Sequence, residues 1–141
     1  MEREYRPRAI DRAIFAILAV LHIANGLYLI GPWYLDNDDY GKRPLANLFN
    51  SDLAVSVFGF LLFLDGLFLL YATVGRGARR IYTRLVSGAL LSGFVLRLYS
   101  LIGVLLTVES WRPPSYLSQT ATVFILGAYW VWVRVSARPL K

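Results

Sequence analysis

Cysteine is absent from the 141-residue chain, and histidine occurs only once, at His22. The lack of thiols excludes disulfides, thiolate nucleophiles and cysteine-ligated metals or clusters. A haem held by two histidines would need two chains, since one chain supplies a single imidazole. The sequence also contains no nucleophile–base pair and no phosphate-binding loop. We therefore predict a protein with no catalytic residues, no bound metal and no cofactor.

Charged residues are scarce as well, at 17% of the chain against roughly 25% in an average soluble domain. Apolar residues make up 57%, and the mean hydropathy is +0.50. An apolar run of about 20 residues is enough to cross a bilayer as a helix. Four such runs lie at about 13–31, 53–74, 85–108 and 116–135. The sequence predicts an all-α integral membrane protein, in which residues 1–141 form a single antiparallel bundle of four transmembrane helices.

The basic residues predict how this bundle is oriented. The formal net charge is +6, and the Lys and Arg residues lie in short segments beside the apolar runs, which is typical of a topology signal rather than of nucleic-acid binding. Eleven of them belong to the N-terminus, the middle turn and the C-terminus, and three to the other side. By the positive-inside rule we expect both termini to be cytoplasmic in a multi-pass protein of the cell (inner or plasma) membrane. Four arginines of the middle turn are predicted to contact anionic lipid headgroups: Arg76, Arg79, Arg80 and Arg84.

Strongly polar residues occur inside the predicted spans. A charge at the centre of a spanning helix costs roughly 2.5–3.5 kcal/mol on insertion scales. Asp65 and Arg97 hold such positions, and a rise of about 1.5 Å per residue puts His22 and Asn25 within about one turn of the same depth. We predict that Asp65 and Arg97 form an intramembrane ion pair. His22 and Asn25 would complete its hydrogen bonding, and Ser100 lies on the Arg97 face of its helix.

Small residues in the spans predict where helices pack closely. Association in lipid depends on van der Waals fit, which small residues permit. The predicted packing positions are Gly59, Gly66, Gly88, Ser92, Gly93, Gly103 and Gly127. They occupy more than one helix face, so we expect contacts with several neighbours. A second copy of the chain, or a partner membrane protein, is one such neighbour.

Two functions are compatible with this pattern. The first is a non-enzymatic assembly or accessory subunit, which the short loops and the lack of a sizeable soluble region favour. The alternative is a small channel, a proton or ion transporter, or a holin-like pore that uses the same polar cluster. Intramembrane ionisable residues are functional candidates, yet such a cluster can also serve only to fix which helices are neighbours. Ion flux that depends on Asp65 or His22 would identify the channel or transporter rather than the subunit.

Overall fold

The computed structural model describes residues 3–30, 52–74, 79–106 and 113–139. Four helices account for most of this chain: α1 (Ala9–Ile30), α2 (Asp52–Val74), α3 (Arg79–Leu106) and α4 (Pro113–Ser136). Two short strands, β1 (Arg3–Glu4) and β2 (Arg138–Pro139), pair antiparallel and bring the two ends of the chain together. The predicted helical architecture is confirmed.

Three of the helices are long and apolar enough to cross a membrane, over Ala9–Ile30, Leu53–Val74 and Tyr82–Gly103. The fourth helix is not among them. Its 24 residues give it the length, but polar side chains near its start lower its hydropathy. A fourth span therefore stays a prediction. Apolar side chains cover much of the described surface, with Phe124 as much as 77% exposed, which is the kind of surface that lipid can cover.

Three of the helices begin three or more residues before the apolar runs do: α1 at Ala9, α3 at Arg79 and α4 at Pro113. At the start of α1, the backbone N–H of Arg8 donates to Asp11 Oδ2 at 2.9 Å, and Arg12 N–H donates to the Arg8 carbonyl at 3.0 Å. This is one half of a capping box, in which an acidic side chain in the first turn satisfies the N–H of the capping residue. A charged segment thus forms the first turn of α1, and α3 likewise begins at Arg79 rather than at residue 85.

The closest helix pair is α1 with α2, where glycines let the two backbones touch. A Cβ atom placed on Gly26 would lie 2.6 Å from the backbone nitrogen of Phe63 and 2.7 Å from the carbonyl oxygen of Gly59. On Gly66 it would lie 2.9 Å from the backbone nitrogen of Ile23. No side chain larger than hydrogen fits in these gaps without moving a helix. This contact fixes the register in which polar residues of α1 face α2.

At the end of the bundle where the termini meet, side chains tie α1 and α3 to the last turn of α2. The final carbonyls of a helix have no partner within it. Arg12 Nη1 donates to the Thr73 carbonyl at 2.9 Å, and the Tyr82 hydroxyl donates to the Ala72 carbonyl at 2.5 Å. These two hydrogen bonds hold three helices together at this end.

The N-terminal segment adds α4 to the same end. Asp11 is fully buried; its Oδ1 lies 3.1 Å from Arg8 Nη2 and accepts a hydrogen bond from the Tyr129 hydroxyl at 3.4 Å. The Arg8 guanidinium also lies over the Trp132 ring, 4.8 Å from its centroid. Tyr5 is buried beside this group, and burial, with the nearby Asp11 charge, raises the pKa of its hydroxyl. We call Tyr5, Arg8, Asp11, Tyr129 and Trp132, together with the paired strands, the terminal clasp.

Candidate functional site

Three ionisable side chains from three different helices lie in the interior of the bundle. His22 of α1 is 0% exposed, Asp65 of α2 is 3% exposed and Arg97 of α3 is 4% exposed. Ser92, also on α3, hydrogen-bonds to Asp65. We call these four residues the polar centre. The three helices that supply them are the three that are apolar enough to span a membrane.

The orientation of His22 follows from its hydrogen bond to the preceding turn of α1. Nδ1 lies 2.7 Å from the carbonyl oxygen of Leu18. A carbonyl can only accept, so Nδ1 carries a hydrogen and donates it. The other ring nitrogen, Nε2, faces Asp65 Oδ2 at 3.6 Å, which is longer than an ordinary hydrogen bond. In the neutral ring, Nε2 therefore presents a lone pair to the carboxyl group.

The two oxygens of Asp65 are in different situations. Oδ1 accepts a hydrogen bond from Ser92 Oγ. Oδ2 faces His22 Nε2, and neither of these two buried atoms has a hydrogen-bond partner among the residues that the structure describes. Two acceptors that face each other repel, and a single proton between them turns the repulsion into a hydrogen bond. The geometry of this pair is therefore that of a site for one proton.

Gly93 allows α3 to lie directly against this pair. A Cβ atom at residue 93 would lie 2.6 Å from Asp65 Oδ2 and 3.1 Å from His22 Nε2. A glycine is thus required at this point of α3 if the carboxyl group is to keep its position. The predicted role of Gly93 was helix packing, and its contacts are with the polar centre itself.

The ion pair predicted between Asp65 and Arg97 is wrong as a direct contact. Within the described residues, Arg97 has no carboxylate oxygen within 4.0 Å, and its Nε and Nη2 are buried with no hydrogen-bond partner. The reason is that the Asp65 carboxyl group is hydrogen-bonded to Ser92 and faces His22. Ser92 precedes Arg97 by five residues, which is about 7.5 Å along the helix. Asp65 and Arg97 attract each other only over this longer range.

The polar centre differs from familiar catalytic and metal sites. In residues 3–30, 52–74, 79–106 and 113–139, no group of three or more His, Cys, Asp or Glu side chains could hold a metal ion. Ser92, Asp65 and His22 lie in a row with the carboxyl group in the middle, whereas a serine nucleophile is activated by a histidine placed beside it. No protein-family model, curated protein or solved structure matches this chain. The chemistry of the polar centre is therefore the basis for a functional proposal.

Two other predicted members of the cluster lie near the polar centre without joining it. Asn25 is half-buried on α1, and no hydrogen bond joins it to the described residues of the centre. Ser100 is buried one turn beyond Arg97 on α3 and does not hydrogen-bond to it in the described structure. Similar depth for Asn25, and the Arg97 face for Ser100, therefore did not predict a hydrogen bond to the polar centre.

The predicted small-residue positions differ in what they contact. Gly59 and Gly66 contact α1, and Gly127 of α4 lies against the ring of Phe94, where a Cβ atom would be 3.1 Å away. Gly103 is buried, while Ser92 serves the polar centre as a hydrogen-bond donor. The predicted packing role of Gly88 is wrong: a Cβ atom there would meet nothing within 4 Å, so this position makes no close contact with the described parts of the other helices.

The arginines predicted to contact lipid headgroups lie around the start of α3. Arg76 falls outside the described residues. Arg79 and Arg80 form the first turn of the helix, and Arg84 is exposed one turn later.

Sequence reasoning assigned charges to this end of the bundle but missed the terminal clasp, because the short N-terminal segment has no hydrophobic periodicity that would indicate burial.

Proposed function

We propose that the protein is a non-enzymatic, multi-pass membrane protein whose polar centre binds and passes on protons, as in a small proton or ion transporter. The observation that carries this proposal is the set of buried polar atoms without partners: His22 Nε2, Asp65 Oδ2, and Nε and Nη2 of Arg97. A cluster that only held helices together would be expected to pair these groups, because each unsatisfied polar group costs several kcal/mol in an apolar interior. Ionisable residues inside a membrane mark proton and ion pathways.

The proton site of this proposal is the gap between His22 and Asp65. Their facing atoms are 3.6 Å apart, so a shift of a few tenths of an ångström creates a hydrogen bond through which a proton can transfer. The Leu18 carbonyl keeps His22 in the tautomer that receives a proton at Nε2. Ser92 holds the far oxygen of Asp65 and leaves the near one free for proton transfer.

The proposed topology has four spans with both termini in the cytoplasm of the cell. The distribution of Lys and Arg, eleven against three, supports this orientation. The pairing of β1 with β2 supports an even number of crossings, because it joins the two ends of the chain at one end of the bundle. α4 would then be the fourth span despite its lower hydropathy.

Proton flux in reconstituted vesicles tests the proposal. Purified protein is inserted into liposomes that contain a pH-sensitive dye, and a pH gradient with a potassium-diffusion potential drives proton entry. We expect flux above that of protein-free vesicles, and we expect Asp65→Asn to remove it because the amide cannot take up the proton. Asn25→Ala is the matched control, since Asn25 lies at similar depth but outside the polar centre. Folded wild-type protein with no flux above the protein-free vesicles would refute the proposal.

A second candidate, the assembly or accessory subunit, is favoured by the burial of the polar centre. His22 is fully enclosed, and the unpartnered atoms have no contact with solvent in this conformation. If the protein has this role, wild-type vesicles show no flux. Extraction of native membranes in mild detergent then yields a stoichiometric complex heavier than the 16.0 kDa chain, formed with a second copy or another membrane protein. A holin-like pore would instead release a trapped dye from the vesicles.

A further inference from the structure

We infer that the polar centre is a coupled site for one proton and one carboxylate, in which Asp65 and His22 share the proton and Arg97 binds the carboxylate. This inference rests on the proposed proton-handling function and adds a substrate class to it. It combines two observations on the described residues: two facing acceptors on α1 and α2, and a pair of buried donors without a hydrogen-bond partner on α3.

The donor pair on Arg97 has the geometry of a carboxylate-binding fork. Nε and Nη2 lie on the same edge of the guanidinium plane, and their N–H bonds are parallel. Such a pair binds the two oxygens of one carboxylate through two charge-assisted hydrogen bonds. Both nitrogens are buried and unpartnered, in a side chain that is 4% exposed. The carboxyl group of Asp65 does not occupy this fork, because it is hydrogen-bonded to Ser92 and faces His22 instead.

Charge balance couples the two ligands. Without the extra proton, the negative charge of Asp65 and the positive charge of Arg97 cancel. A proton between Asp65 and His22 makes that pair neutral, so Arg97, which stays protonated in proteins, leaves the site with a charge of +1. An uncompensated charge is strongly disfavoured in a low-dielectric interior. One monovalent anion restores neutrality, and this favours a carboxylate over a doubly charged phosphate.

The described neighbours from the fourth helix add no charge to this balance. α4 presents Leu126 to the polar centre, near Gly93. The titratable Tyr129 of α4 contacts Asp11 in the terminal clasp instead. His22 of α1, Asp65 of α2 and Arg97 of α3 are therefore the groups that determine the coupling.

The carboxylate can belong either to a small soluble acid or to the head of a fatty acid. Arg97 lies nine residues, or about 13.5 Å, from Leu106, the last residue of α3, and eighteen residues from Arg79, its first. The fork is thus nearer to the end of the bundle opposite the clasp. A fatty acid in that leaflet could insert its head to this depth, and a soluble acid would enter from the same end.

Calorimetry on the purified protein in nanodiscs of zwitterionic lipid tests the coupling. Acetate represents the soluble source and octanoate the fatty-acid source, and octanol controls for binding of the chain alone. Titration in two buffers of different ionisation enthalpy gives the number of protons taken up. We expect about one proton per carboxylate bound. Octanoate binding alone identifies an amphiphile site, whereas acetate binding as well identifies a site for free acids. Binding without proton uptake, octanol binding as tight as that of octanoate, or no binding of either acid would overturn the inference.

Two variants and a control sharpen this test. Arg97→Lys loses the fork, so carboxylate binding should weaken roughly tenfold to a hundredfold, the loss expected for one charged hydrogen bond. Arg6→Lys is the control, because Arg6 is an exposed arginine that interacts with Glu4 at the surface. Asp65→Asn keeps the pair neutral without a proton, so it should bind carboxylate with no proton uptake. Unchanged binding in Arg97→Lys contradicts the inference. If Arg97→Lys fails to fold, proton uptake that persists in Asp65→Asn contradicts it equally.

The flux assay and the binding assay fail independently. Proton flux without any carboxylate binding refutes the coupled site and leaves the proposed transport function standing. Coupled binding with no protein-dependent flux, either with or without a carboxylate present, refutes transport and leaves a site that binds an acid together with its proton.

Discussion

The contact between α1 and α2 gives a quantitative prediction for Gly26→Ala. The added methyl carbon would lie 2.6–2.8 Å from three backbone atoms of α2, which is 0.6–0.8 Å short of the 3.4 Å at which ordinary contact begins. Backbone atoms cannot rotate away, so the two helices must separate by a comparable distance. Overpacking of this kind costs roughly 1–3 kcal/mol. The better helix propensity of alanine returns about 1 kcal/mol, which leaves a net loss of up to about 2 kcal/mol.

Gly88→Ala is the matched control for this prediction. It makes the same chemical change in a helix, but the new methyl group meets nothing within 4 Å. We expect it to be neutral or to stabilise the protein by up to about 1 kcal/mol. The measurement is the unfolding free energy of both variants in mixed micelles, followed by circular dichroism as the denaturing detergent increases. Equal stabilities for Gly26→Ala and Gly88→Ala would show that the close approach of α1 and α2 does not exist.

Two further predictions concern the polar centre and the terminal clasp. Gly93→Ala places a methyl group 2.6 Å from Asp65 Oδ2, so we expect most of the proton flux to be lost while helicity is kept; unchanged flux would contradict the assigned proton site. Burial raises the pKa of Tyr5 above its ordinary value near 10, so the folded state favours the neutral hydroxyl while the unfolded chain ionises first. The contribution of Tyr5 to the free energy of unfolding is therefore fully present below about pH 10 and decreases as the pH rises further. We expect this decrease to be smaller in Tyr5→Phe. Identical alkaline unfolding curves for the two proteins would count against it.

The sequence was sufficient to predict the apolar helices and the level of the polar residues along them. Hydropathy is a property of a whole segment, so α1, α2 and α3 could be located without knowing their neighbours. A helical rise of about 1.5 Å per residue likewise placed His22, Asp65 and Arg97 at similar depth. These predictions depend only on local composition and on helix geometry.

Contacts between the helices could not be derived in the same way. Opposite charges suggested that Asp65 pairs with Arg97, but the rotation of α3 and the small size of residue 93 bring the carboxyl group to Ser92 and His22 instead. Gly88 looked like a packing position because small residues recur near it, yet it faces open space. Rotation about a helix axis depends on the summed packing of several helices, and a residue pattern in one helix does not determine it.

The terminal clasp restricts how the bundle can move. All four helices are tied together at the end that holds Asp11, Arg12 and Tyr82, and the chain ends are paired there as well. If α3 moves away from the closely packed α1–α2 pair, it pivots about this end, so the widest opening lies at the opposite end, the end nearer to Arg97. We therefore expect the clasp to act as the hinge and a ligand to reach the Arg97 guanidinium from the opposite end of the bundle.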